Sequence, residues 1–392
     1  MTAVDPVDLL AELVAIDSSN PGPGEAAIAR YIDDLARRWG FESRVVETAP
    51  GRANVLVRVD AGGSRSLGLS GHLDTKPAGE LARWRTPPWE LSIDGDLAYG
   101  LGTSDMKGAL AAMLVAARTW SATARRGRLD LIFTADEEAG SQLGAWELAR
   151  RGLVDVEAVL VGEPSGITTE WEQLSVVSRG ICCFEVTVHG RQGHSGLSER
   201  LPTSATVAAA RAVLAIDALR PRHPPAGEIP RTPTVNAGVR IGGGVFFGVH
   251  PGHATVDCEV RLVPGMRRDE LVADVRAALA AAMPADVRWD VRLRPDQLGW
   301  LPASEIAADH PLVRAAGDAA AQVLGRKLPL GVYPGGTDAS AFSQGAGVPS
   351  IASLGPGWLS VAHAPNEHVG RSQVRDAAEI YRRIATAFLE GR

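Results

Sequence analysis

Cysteine is scarce in this chain: Cys182, Cys183 and Cys258 are all there are among 392 residues. An odd number without CxxC spacing excludes a disulfide framework and a cysteine-built zinc module. Cys182 and Cys183, adjacent in a strand-like run, must point to opposite faces, and small buried hydrophobes in a reducing compartment are expected. No apolar run is long enough to span a bilayer, and Met1-Thr2-Ala3-Val4-Asp5-Pro6 has no basic segment ahead of an apolar one. The cytoplasm is therefore the expected location, with no membrane partner. Positive charge is not in excess: the formal net charge is -6, which argues against a nucleic-acid-binding face and leaves a small molecule as the expected partner. Internal repeats, low-complexity tracts and charge blocks are also lacking.

What is present reads as an ordinary soluble globular protein, with 45% hydrophobic and 22% charged residues. A chain this long exceeds the size at which one core keeps growing, so two domains are expected. Asp5-Pro6 reads as N-cap and first position of an opening helix, and a second helix runs from about Glu25 to Trp39. Strand-like runs at 43–48, 54–60, 66–72, 129–135 and 158–161 alternate with helical patterns at 106–123 and 142–151. That alternation predicts an α/β fold, a mostly parallel sheet with helices on both faces. The texture changes near Arg179. Strands at 181–189, 234–241, 254–263 and 287–293 enclose helices at 203–219 and 268–282, a β-α-β-β-α-β order that predicts an inserted ferredoxin-like α+β domain. The segment 220–233, with five prolines, reads as a loop. After about Arg294 the first texture resumes, with helices near 311–324 and 373–389 and a strand near 350–354. The expected division is a discontinuous catalytic domain, 1–178 and 294–392, interrupted by an inserted domain, 179–293. The apolar run Gly244-Val245-Phe246-Phe247 is expected to pack within that insert.

The chemistry-bearing residues stand at strand ends. Gly71-His72-Leu73-Asp74-Thr75 closes the run 66–70, where open α/β sheets keep their sites. His72 and Asp74, two apart, face the same way, which suits a metal-binding imidazole with a supporting carboxylate, although an HxD pair also suits a surface turn. Tyr99-Gly100-Leu101-Gly102-Thr103-Ser104-Asp105-Met106-Lys107-Gly108 delivers Asp105 to the start of a helix, where it is either a site acid or an N-cap. This glycine-rich loop has neither GxxxxGK[ST] nor GxGxxG, so nucleotide binding is not expected. Asp136-Glu137-Glu138 puts three acids at the end of the run 129–133, and Glu163 ends the run 158–161; clustered acids cost energy unless cations neutralise them. His363 lies in a loop before the last helix. His72, Asp105, Glu138, Glu163 and His363 form a nitrogen and oxygen donor set that suits zinc or cobalt better than calcium, enough for two ions if one carboxylate bridges. Glu137, beside a ligand, is then placed to act as general base.

The ordered motifs GHLDT, GxGxSDMKG, DEE, GEPS, GGTDA and HAPNE resemble those of the dinuclear zinc amidohydrolases and metallopeptidases that include acetylornithine deacetylase, succinyl-diaminopimelate desuccinylase, aminoacylase and carboxypeptidase G. The resemblance covers essentially the whole chain. It implies that Asp105 bridges two divalent metals, zinc before cobalt, that His72 and Glu163 complete one position, and that Glu138 and His363 complete the other. It implies Glu137 as general base, Asp74 as support for His72, and a cis peptide bond after Asp105. The insert resembles the family's lid, which also forms the homodimer interface, and His194 matches a histidine that reaches a partner's site and polarises the scissile carbonyl. Asn236 and Arg261 match lid residues that contact substrate, and Gly335, Gly336 and Thr337 a substrate-binding loop. Leu101, Ser204 and Gly248-Val249-His250-Pro251 depart from the usual pattern, outside the expected metal ligands. The activity implied is hydrolysis of the amide of an N-acyl amino acid. The rivals are a dipeptidase or carboxypeptidase acting on short peptides and, for a different class, a non-catalytic metal-binding protein.

Overall fold

The computed structural model describes residues 4–225, 227 and 229–391. The chain divides into two compact units, one running to Ser178 and resuming at Ser304, the other Arg179–Ala303.

The first unit is built on a six-stranded sheet in the order Glu42–Ala49, Arg52–Asp60, Arg128–Thr134, Ser66–His72, Ala158–Val161, Ser350–Ile351. Its first two pairings are antiparallel and the other three parallel. Central strands in such a sheet are covered on both faces and become continuously apolar; Ser66–His72 is buried at every position. On one face Ile132, Val159 and Val161 pack with Ala145, Leu148 and Phe342. On the other, Gly71 and Gly162 abut Leu110, Ala109 and Met113 of helix Gly108–Ser121. The opening helix is capped as its sequence demands: the Asp5 carboxylate accepts the Val7 N–H at 3.0 Å, with Pro6 at the first position. The last helix, Arg371–Glu390, buries one apolar face including Val374, Tyr381, Ile384 and Phe388.

Three short sheets carry loops to the strand ends. Leu330–Tyr333 joins Leu174–Ser178 and Ser304–Glu305; Gly355–Trp358 pairs with Pro164–Gly166; His368–Gly370 pairs with Leu97–Tyr99. None was legible in the sequence, being two to five residues long and without apolar periodicity.

The second unit is a four-stranded antiparallel sheet in the order Thr234–Gly243, His253–Leu262, Gly180–His189, Arg288–Leu293, with helices Ala205–Asp217 and Arg268–Ala282. Numbered along the chain, that order is 2-3-1-4, the ferredoxin-like arrangement. Alternate residues Cys182, Phe184, Val186 and Val188 meet Val256, Cys258 and Val260 in its core. Cys182 and Cys258 are buried, Cys183 is half-buried on the opposite face, and all three are free.

Two expectations fail here. The unit continues to Ala303, ten residues past the expected return to the first texture. Arg294 still donates to the Cys183 carbonyl at 3.0 Å, and Leu301 and Ile181 exchange two 2.9 Å bonds, which hold the connecting segment to the insert. The run Val245-Phe246-Phe247 is not core: it forms a hairpin tip with its side chains 73%, 77% and 93% exposed. Flanking glycines in positive φ, Gly244 and Gly248, turn the chain away from the sheet. The proline-rich segment 220–233 has no helix or strand among its described residues; Ala226 and Glu228 lie outside these, as do Met1, Thr2 and Ala3.

Candidate metal centre

Three neighbouring parallel strands end together. His72 is the last residue of its strand and pairs with Thr134, the last of the next, while Ser70 pairs with Val161, two residues before Glu163. Their carboxyl ends thus present His72, Asp136-Glu137-Glu138 and Glu163 side by side, as parallel α/β sheets do.

Asp105 joins from the loop Thr103–Lys107, which precedes helix Gly108–Ser121 and contains a cis peptide between Asp105 and Met106. It is not the helix cap. Its Oδ1 lies 2.8 Å from His72 Nε2 and its Oδ2 3.3 Å from His363 Nε2. Each imidazole has a further carboxylate: Glu163 Oε1 is 3.6 Å from His72 Nε2, and Glu138 Oε1 is 2.9 Å from His363 Nε2. Glu137 joins His72 and Glu163 in one group of donors, and Asp105, Glu138 and His363 form a second, each group lying within 4.8 Å.

Hydrogen bonds fix these donors. His72 Nδ1 is 2.9 Å from the Asp74 carbonyl, which can only accept, so Nδ1 carries a proton and Nε2 is the nitrogen turned towards Asp105. The Asp74 carboxylate is further off, 3.6 Å from Nδ1. It instead accepts the amides of Glu137 and Glu138, at 3.1 and 3.2 Å, and Asn20 Nδ2 at 2.9 Å. The support expected for His72 thus comes from the Asp74 backbone, and the side chain organises the acidic turn. Lys76 Nζ donates to the Glu138 carbonyl and lies 3.3 Å from its Oε2.

The electrostatics call for cations. Among the described residues the only cationic partners of Asp105 and Glu163 are imidazoles. Burial, then the charge of Asp105, pushes Glu163 up to about 8. Burial and the neighbouring acids hold Glu137 well above the usual carboxyl range. Hydrogen bonds to Asp105 and Glu138 raise His363 to about 10. Burial opposes a charge on His72, but Asp105 and Glu163 still lift it well above its ordinary value. Protons on these groups stand where positive charge is wanted, and the mixed imidazole and carboxylate donors suit divalent ions.

Four participants were not identified in the sequence. Glu367, fully inside, accepts the amides of Gly102, Ser104 and Asp105, each at 2.9 Å, and so holds the Asp105 loop. Tyr333 donates to Glu163 Oε2 at 3.2 Å. Asp338 accepts from Thr134 Oγ1 at 2.5 Å and Ser141 Oγ at 2.6 Å. Arg52 binds Glu25. Glu367 and Asp338 lie inside the HAPNE and GGTDA motifs, so their motifs were visible although their roles were not. Gly335, Gly336 and buried Thr337 run between Tyr333 and Asp338, which brings the expected loop beside the centre.

The second unit carries the other expected residues. His194 is exposed, and its Nδ1 accepts the Gly196 N–H at 3.1 Å. Asn236 is exposed opposite Glu259, to which Arg261 Nε donates at 2.7 Å, so one edge of that guanidinium is already committed.

A fold and site of this kind define a dinuclear metal-binding hydrolase. Residues 68–387 match the peptidase family M20/M25/M40, and the chain belongs to that family. It is 28% identical to the succinyl-diaminopimelate desuccinylase of Paracoccus denitrificans, over 97% of both chains. In fold it resembles an M20-family metallo-carboxypeptidase from Sulfolobus solfataricus, with TM-score 0.79, 17% identity and coverage of 98% and 99%. A dinuclear metal-binding M20 peptidase from Bacillus subtilis also matches, with TM-score 0.70, 16% identity and 98% coverage of each chain.

Proposed function

We propose that this chain hydrolyses the amide bond of an N-acylated amino acid, using two zinc ions, with cobalt as a working substitute. The observation that carries the reading is Asp105, whose two oxygens are divided between two imidazoles that each have a carboxylate of their own. His72, Glu163 and Asp105 would hold one ion, and His363, Glu138 and Asp105 the other. Two ions held there would supply acidification of a water and polarisation of the scissile carbonyl. Glu137 is then not needed as a ligand. Its carboxylate takes the proton from the attacking water and gives it to the leaving nitrogen.

His194 is read as a donor to the carbonyl oxygen, from the same chain or from a second copy. With Nδ1 accepting from Gly196, the proton of the neutral ring stands on Nε2, the tautomer a donor needs. Asn236 and Arg261 are read as contacts to the substrate's carbonyl and carboxylate, and the backbone at Gly335, Gly336 and Thr337 as its cradle. The insert is read as a lid and homodimer surface. Strand Thr234–Gly243 is a sheet edge whose Val239 and Ile241 are exposed, as are Phe246 and Phe247 at the adjoining tip; unpaired edges and apolar patches of this kind seek a partner. Three free cysteines fit a cytoplasmic setting, and no described helix is long and apolar enough to cross a membrane.

The test is release of primary amine from N-acetyl, N-succinyl and N-formyl amino acids and from dipeptides, with zinc- or cobalt-loaded protein against a chelator-stripped control. Metal-dependent release from one acyl series is the expected result, in keeping with the relative named as a desuccinylase. Release from dipeptides alone would make the enzyme a peptidase. Two bound metals with no turnover of any substrate would favour a binding protein.

A further inference from the structure

The turn that bears Glu137 is held by its backbone. Three consecutive amides each donate to a buried carboxylate: Asp136 N–H to Glu25 Oε1 at 3.0 Å, Glu137 N–H to Asp74 Oδ1 at 3.1 Å, and Glu138 N–H to Asp74 Oδ2 at 3.2 Å. Such a grip is needed because Asp136 has φ 66°, a left-handed conformation that a residue with a side chain adopts only under constraint. The Asp136 side chain is tied too. Its Oδ2 accepts the Leu143 N–H at 3.1 Å, and its Oδ1 lies 3.4 Å from Asn20 Nδ2, which also donates to Asp74 at 2.9 Å.

Glu25, Asp74 and Asp136 are thus three buried acids in one hydrogen-bonded frame. Among the described residues a single Lys or Arg side chain touches any of them. Arg52 grips Glu25 with both edges of its fork, Nε to Oε2 at 2.7 Å and Nη2 to Oε1 at 2.6 Å, and Nη2 also reaches Asp136 Oδ1 at 3.0 Å. The planar guanidinium grips Glu25 with two fixed donors while reaching Asp136, a geometry that a lysine ammonium, a point charge on a flexible stem, does not reproduce.

We infer that Arg52 is the positioning residue for the general base: through Glu25 and Asp136 it sets the turn from which Glu137 reaches the reacting water. Arg52 touches no proposed metal ligand, and nothing in its own sequence context, Gly51-Arg52-Ala53, marks it. The inference rests on Glu137 being the base. The same frame secures the amide of Glu138, so cation content must be measured beside rate.

The experiment compares Arg52→Lys, Glu25→Gln and Glu137→Gln, singly and with Arg52→Lys added to Glu137→Gln, all as metal-loaded full-length enzyme. A displacement of the base by roughly 1 Å costs about 100-fold in rate, so Arg52→Lys is expected to lower kcat by about that factor. KM should stay within about threefold, because substrate contacts are untouched, and two metals per chain should remain. In the Glu137→Gln background the same change should cost less than about threefold, because the group it positions is gone. Glu25→Gln keeps the shape and the acceptor for Asp136 while removing the charge, and should lower kcat in the same sense; it carries the test if Arg52→Lys does not fold. Wild-type kcat in a folded, metal-loaded Arg52→Lys protein overturns the inference, and so does an equal loss in both backgrounds. An active Glu137→Gln enzyme would instead overturn the assignment of the base.

Discussion

Replacing Gly355 by alanine tests whether the strand ends are as closely built as their contacts imply. A Cβ on Gly355 would lie 1.9 Å from the Gly162 carbonyl oxygen and 2.8 Å from that of Glu163, both backbone atoms. Relief to ordinary van der Waals contact needs a shift of about 1.5 Å, and no rotamer change can supply it because neither atom is on a side chain. The strand end is pinned from other directions as well, since Ser353 Oγ donates to the Glu163 carbonyl at 2.9 Å and the Gly355 N–H to Ser165 Oγ at 3.1 Å. Over-packing against backbone belongs at the upper end of its range, about 3 kcal/mol, or about 4 °C in melting temperature for a chain of this size. Metal sites tolerate ligand displacements of only about 0.2 Å. Glu163 should therefore stop serving the His72 position, while Glu138 and His363 keep theirs. Dialysis against trace zinc followed by elemental analysis should give one metal per chain in place of two. Gly317→Ala, where a Cβ meets nothing within 4 Å inside helix Pro311–Leu324, is the control and should keep both metals. A Gly355→Ala protein with two metals and an unchanged melting temperature would refute the reasoning.

Glu137→Gln should lower kcat by at least about 10³-fold, since it removes proton transfer at both steps, with metal content intact by elemental analysis. The chelated protein should lose stability as pH rises. Glu163 and Glu367 bind protons more tightly folded than unfolded, both being pushed up to about 8 chiefly by burial, so the stabilisation is complete below their ordinary 4.5 and is lost through about pH 8. His363, raised to about 10, acts in the same sense at higher pH. Melting curves should therefore fall between pH 5.5 and 8.5 without metal and flatten when zinc is added; a flat metal-free profile would contradict the shifts. Ile241→Glu puts a charge on the exposed edge strand proposed as the dimer surface, and light scattering should then read the mass of a single chain while metal content stays unchanged.

The α/β fold, the ferredoxin-like insert and the family were legible because long elements carry their periodicity openly, and because six motifs fall in order at strand ends. The residues gathered round Asp105 were legible for the same reason: His72, Glu138 and Glu163 each follow an apolar run that had to be a central strand. Glu367 and Asp338 were hidden because an acid beside glycine or asparagine looks solvated until the fold closes over it. Arg52 and Glu25 were hidden more deeply, being 27 residues apart and part of no motif. The hairpin at Phe246 misled because hydrophobicity alone does not say whether a tip turns inward or outward, and here the glycines decide.

The two halves of the centre differ in how far they are open to water. His72 and Glu163 are 2% and 3% exposed, whereas the His363 side chain is 46% exposed on a loop residue with φ 60°. An ion held at the proposed His72 position would be enclosed by buried strand ends, whereas one held at the proposed His363 position would sit beside an exposed ring. The two proposed positions are therefore expected to exchange metal at unequal rates, the outer one faster. At limiting metal the proposed outer position should empty first, which metal analysis at graded metal supply would show as one ion per chain before none.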